Sequence, residues 1–170
     1  CILNRSLGQI YEVPFVNAAA WLIPKKVLLT MGGFDPIFHH YGEDNNYCQR
    51  LEYHGFKVGV VPNTYIFHDS IRRKEPINYL FSEAYYFNEV KNLQIKYADI
   101  NKTYAQKDFY GLRNHIKKLI LLNLLKFKLK SVKGYLEKYK IFGKSFDAII
   151  KSKKQNILKG LFEQNPTFVL

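Results

Sequence analysis

Cysteine is scarce, with only Cys1 and Cys48 in 170 residues. That excludes a disulfide-stapled scaffold and a zinc site built from four thiolates. Both thiols are expected to stay reduced, which points to a cytoplasmic setting. Acids are few as well, 14 Asp and Glu against 26 Lys and Arg. Ten Gly and six Pro are too sparse for a collagenous or low-complexity chain. Long apolar runs are missing. The best candidate, residues 119–125, is interrupted by Asn123 and followed by Lys126, Lys128 and Lys130, far short of the ~20 apolar residues a spanning helix needs. No initiator Met and no charged segment leading into an apolar stretch opens the chain, so no signal peptide is visible. The start reads as that of a piece of something longer.

Apolar residues are plentiful, 47% of the chain, with 13 Tyr and 13 Phe. Such a chain buries enough surface to offset its ordering entropy, which excludes intrinsic disorder. Its length suits one domain with a real core. The formal charge of +12 is unevenly placed. Residues 1–106 hold 11 Lys/Arg against 10 Asp/Glu, whereas residues 107–170 hold 15 against 4, with Arg113 the only Arg. A surface that basic attracts polyanions: an anionic membrane face or nucleic acid. Nucleic acid is the less favoured partner, because the tail is Lys-rich and carries no recognised binding motif. A solvated helical face is the plain alternative. In residues 116–128, Ile116, Leu119, Ile120, Leu124 and Phe127 recur at helical spacing beside Lys117, Lys118, Lys126 and Lys128. That pattern suits a helix lying on a membrane surface.

Residues 15–23 read as a strand ended by Pro24, and 25–30 as a short helix broken by Gly32-Gly33. Residues 43–54 read as a helix capped by Gly55. Residues 58–61 and 64–68 read as short strands. Pro76 is expected to open a long helix, and from Asp108 onward two or three helices follow, broken near Gly143 and Gly160. The expected order is mixed α/β over residues 1–75, then a helical, Lys-rich region over 76–170.

The chemistry-bearing stretch is Gly42-Glu43-Asp44, where a loop enters a helix. Exposed N–H groups and the positive end of the macrodipole there favour ionised carboxylates. An ordinary acidic N-terminus would look the same. His68 ends an apolar strand, a position from which an imidazole can bind a divalent cation or move a proton. Trp21, the only Trp, offers a face to a sugar ring, or packs in the core. His39, His40, His54 and His115 are assigned no role. Walker A, G-x-G-x-x-G, G-x-S-x-G and H-E-x-x-H patterns are absent.

Residues 16–68 resemble the C-terminal part of the catalytic domain of family 2 glycosyltransferases, rhamnosyltransferase-like members included. The resemblance is carried in order by Asn17-Ala18-Ala19-Ala20 with Leu22-Ile23-Pro24-Lys25, by Met31-Gly32-Gly33-Phe34-Asp35, and by Gly42-Glu43-Asp44 with Arg50. Gly55-Phe56, Val61-Pro62 and His68 close it. Tyr110-Gly111-Leu112-Arg113-Asn114 is similar to a Y-x-x-R-N segment of rhamnosyl-type members. Where the family has Asp, this chain has Asn46.

The resemblance implies the acceptor-side half of a GT-A fold followed by a basic helical tail. It further implies an inverting transfer from a nucleotide-sugar to a saccharide or lipid-linked acceptor. Asp44 would be the general base, with Glu43 and Trp21 on the acceptor side and His68 a ligand of a divalent cation, Mg or Mn. A hydroxyl is a poor nucleophile, so a placed carboxylate must take its proton as the bond forms. Asp-x-Asp, the family's main metal motif, is absent, since the six Asp are never spaced two apart. The donor-binding half is therefore expected upstream, and the chain by itself is expected to be inactive. The competing reading is a non-catalytic basic helical module that docks on a membrane surface or nucleic acid.

Overall fold

A computed structural model describes residues 9–38, 41–67, 79–103 and 106–159. It is mostly helical, with one small antiparallel ribbon, so the broad α/β class holds in a helix-rich form. The elements are β1 (Tyr11–Val13), α1 (Lys25–Met31), α2 (Glu43–Tyr53), β2 (Val58–Val60), α3 (Glu83–Tyr97), α4 (Gln106–Leu125) and α5 (Leu129–Asn156). Tyr11 pairs with Val60 and Val13 with Val58.

The helices expected at 25–30 and 43–54 form, as does the strand near 58. The strand expected over 15–23 does not. Residues 18–20 turn instead, and the Trp21 indole N–H donates to the Asn17 carbonyl four residues back, a local bond that competes with a ladder. Residues 64–67 are irregular too, and His68 lies outside the described residues. The long helix begins at Glu83, not Pro76; Ser82 caps it by accepting from the Tyr85 N–H at 3.2 Å. Gly143 does not break α5, which runs through it without interruption. The break comes earlier, at residues 126–128, and uses neither Gly nor Pro. There the Lys128 N–H bonds the Asn123 carbonyl and the Phe127 N–H bonds that of Leu124. This is a Schellman end, with Phe127 in the left-handed position (φ 52°) that Gly normally fills. An L-residue there costs about 1–2 kcal/mol.

Two apolar clusters hold the molecule together. The larger joins α3, α4 and α5: Leu93, Tyr97, Phe109, Ile116, Phe142 and Ile149 are buried, and Phe38 enters from the loop before α2. Phe109 and Phe146 stack at 3.7 Å, and the Arg113 guanidinium covers the Tyr139 ring at 4.1 Å, fastening α4 to α5. The smaller cluster holds Met31, Tyr47 and Leu51, with Trp21, Val27 and Phe56 packed on it. Contacts thus cross residue 75: besides Phe38, the Gln94 amide donates to the Ile37 carbonyl and the Asn101 amide to that of Gln49. Among the described residues, no helix is long and apolar enough to cross a membrane.

Candidate functional site

The start of α2 is built on a close approach. Gly42 sits at φ 102°, and a Cβ there would lie 3.0 Å from both Ile95 and Phe38. Only glycine meets both demands. The turn it makes puts Glu43 and Asp44 in the first turn of α2, where the helix N–H groups point outward. Both residues are half-buried. Asp44 Oδ1 accepts from the Asn45 N–H at 2.7 Å and from its side-chain amide at 3.1 Å. Among the described residues no donor reaches its other oxygen. Glu43 Oε2 is buried and likewise has no hydrogen-bond partner among them, and nor does the Asn46 side-chain N–H group.

One turn further on, α2 is clamped to the glycine loop that ends α1. The Tyr47 hydroxyl donates to the Gly32 carbonyl at 3.1 Å, and Arg50 donates to the carbonyls of Gly33 (2.7 Å) and Met31. Arg50 is 1% exposed and stands over the Tyr47 ring at 5.3 Å. Burial lowers its pKa, though not enough to discharge a guanidinium. The Arg of the Gly-Glu-Asp segment is therefore a carbonyl clamp rather than a surface residue. Burial raises the Tyr47 hydroxyl, partly offset by the Arg50 charge.

Trp21 packs against Tyr47 (5.7 Å between ring centres) and Phe34 (6.0 Å), and Phe34 meets Tyr47 at 5.3 Å. Tyr47 lies three residues beyond Asp44, on the same side of α2. Trp21 is thus a half-exposed member of an aromatic group one helical turn from the acidic pair, and Phe34 beside it is exposed. Cys48, also one turn from Asp44, is buried. Burial raises its thiol, and the Asp44 carboxylate adds to the rise.

Glu43 and Asp44 stand one helical turn before Tyr47, on which Trp21 packs, while His68, His39 and His40 lie outside the described residues. Among the described residues no three His, Cys, Asp or Glu side chains converge as a metal set. His54 is engaged structurally, its Nε2 lying 2.9 Å from the Asn156 carbonyl. Two surface depressions lie elsewhere. One of about 430 Å³ beside the ribbon is lined by Glu12, Cys48, Glu52 and Lys57. One of about 740 Å³ at the start of α4 is lined by Lys96, Lys107, Tyr110 and His115.

Sequence reading gave no role to Asp35, the acid of the Gly-Gly-Phe-Asp segment. It is buried; Oδ1 accepts from the Ile37 N–H at 3.0 Å, and Oδ2 accepts from Ser152 Oγ and from the Asn156 amide at 2.7 Å. The residues adjacent to Asp35 carried no signal of partners at the far end of α5. Matched against family models, curated proteins and solved structures, the chain finds no counterpart.

Proposed function

We propose that this chain is the acceptor-side part of an inverting, family 2-like glycosyltransferase of GT-A type, with Asp44 as the general base. The observation that carries the reading is the placement of Asp44. Its carboxylate sits in the first turn of α2 with one oxygen held by Asn45, on a helix pinned by Tyr47 and Arg50. A base must be fixed within hydrogen-bond reach of the attacking hydroxyl. The Asn45 bonds orient Asp44 and leave an oxygen to take the proton.

Glu43 stands beside Asp44, half-buried in the first turn of α2, and is the candidate side chain for holding acceptor hydroxyls. Trp21 and Phe34 offer apolar faces for the C–H side of a pyranose. The departing diphosphate calls for a divalent cation, and His68 is the candidate ligand on this chain. His68 lies outside the described residues.

The reading is tested by transfer from nucleotide-sugars to saccharide and lipid-linked acceptors, assayed on the chain in its natural reading frame. Asp44→Asn is expected to lower the transfer rate by about 10³-fold or more with an unchanged melting temperature. A near-normal rate in that variant removes Asp44 as the base.

A further inference from the structure

The turn between α4 and α5 exposes what a water-facing turn normally hides. Leu121, Leu122, Leu124, Leu125, Phe127 and Leu129 are all exposed, Phe127 at 88% and Leu125 and Leu129 each at 68%. They form one continuous tip, since Asn123 is the only residue of 121–130 that is even half-buried. A patch of that kind on a soluble chain marks an interaction site. The membrane face expected from sequence overlaps this tip only at its end, in Leu124, Lys126, Phe127 and Lys128. Ile116 is buried and Ile120 packs on the same core, so the first part of that stripe faces the core and its end is left uncovered.

Phe127 adds a second observation. It occupies the left-handed position of the Schellman end, where Gly would carry no strain, and this backbone holds the ring outward. A bulky residue kept at such an angle, without packing to reward it, is a local sacrifice of the sort found at functional sites.

Charge selects the partner. Residues 109–136 contain seven Lys and Arg and no Asp or Glu. At the tip, Lys126, Lys128 and Lys130 alternate with Phe127 and Leu129, and all are exposed. Such lysines reach anionic headgroups while their stems and the apolar residues between them enter the acyl boundary. A second copy of the chain would bring like charges face to face. Nucleic acid would accept the lysines but leave the leucines in water. We infer that the α4–α5 turn is a membrane anchor that inserts tip-first into an anionic lipid surface, Phe127 leading and the lysines on headgroups. This stands on the hairpin alone and is independent of the role of Asp44.

The test is flotation of the whole chain with vesicles of phosphatidylcholine, alone or with about a quarter phosphatidylserine. Binding is expected only with the anionic lipid, each lysine at the surface being worth about fivefold in affinity, and it weakens as salt shortens the Debye length. Phe127→Gly is expected to keep or raise the melting temperature, because it relieves the backbone, yet to weaken vesicle binding by about tenfold or more. Should that variant not fold, the exposed triple change Lys126→Glu, Lys128→Glu, Lys130→Glu is expected to abolish binding with the fold intact. Several results overturn the inference: no flotation with anionic vesicles, flotation indifferent to both variants, a Phe127-dependent dimer without lipid binding, or salt-steep DNA binding in its place.

Discussion

Asp35, Ser152 and Asn156 form a buried polar group in which one carboxylate serves three donors. Removing the acceptor strands the Ser152 hydroxyl away from water and leaves the Asn156 amide only its 3.2 Å bond to Ser152 Oγ, so Asp35→Ala is expected to destabilise by about 2–4 kcal/mol. Ser152→Ala should cost only about 1 kcal/mol, because Asn156 still satisfies the carboxylate. Urea melts of both variants check the order, and equal losses would mean that Asp35 is not the hub. A loop Asp before Pro looks like turn chemistry in sequence, and that reading misses partners 117 and 121 residues away. The acidic pair was legible because a helix N-terminus has a local signature. Arg50 was only half legible, since the carbonyls it clamps belong to another element. Cys48 lies on the same helix, and its buried, raised thiol is expected to react slowly. In a Cys1→Ser chain at about pH 8, labelling by an aromatic disulfide should run about 100-fold slower than glutathione and recover fully in denaturant. Fast labelling would mean that the packing of the ribbon beside Cys48 opens readily.

Two glycines of α5 separate helix propensity from packing. At Gly134 an added Cβ would lie 2.4–2.6 Å from the Phe81 ring, which also meets Tyr85 and Tyr135 edge-on at 5.5 and 5.0 Å. The Gly134 carbonyl accepts from the Tyr86 hydroxyl at 3.0 Å, so the two helices cross here with little room to move. At Gly143 a Cβ would meet only Arg113, at an ordinary 3.6 Å. Ala is the better helix former by about 1 kcal/mol at either site. Gly143→Ala is therefore expected to stabilise by up to about 1 kcal/mol, and Gly134→Ala to destabilise by about 1–3 kcal/mol through overpacking. Thermal melts of the two variants should shift in opposite directions. A gain at both would mean that Phe81 yields. The same pair explains what sequence misjudged. A glycine inside a helical pattern reads as a stop, yet Gly143 sits on a face where nothing needs to break. The true end at 126–128 uses Phe and Lys, residues with no stop signal. Helices α1 and α2 were legible because proline and glycine punctuate them. The strand expected over residues 15–23 failed because apolar content alone does not supply a strand partner.

At the scale of the molecule, the last turns of α5 tie the α1–α2 region to the helical core. Asn156 and Ser152 bind Asp35, the Asn156 carbonyl meets the His54 ring at the end of α2, and Phe38 sits among Leu93, Phe109 and Ile149. Sequence divides the chain near residue 75 by composition and charge. The packing sets residues from both sides of that line into one core, since burial follows surface complementarity rather than the charge of the exposed faces. The consequence is measurable as a coupling. A chain stopped after Ile150 keeps the apolar residues of the main core, Ile149 included, but removes Ser152 and Asn156. Asp35 then loses both of its α5 partners and gains access to water at that end. The truncation alone is expected to cost about 3 kcal/mol or more, measured by urea unfolding. Asp35→Ala, which is severe in the whole chain, should then cost much less, because two of the three donors it would strand are gone and only the Ile37 N–H remains. The cycle of the two changes is thus expected to show a coupling of about 2 kcal/mol. Additive losses would mean that α5 and the glycine loop are stabilised separately, and that the bonds across residue 75 do not join them energetically.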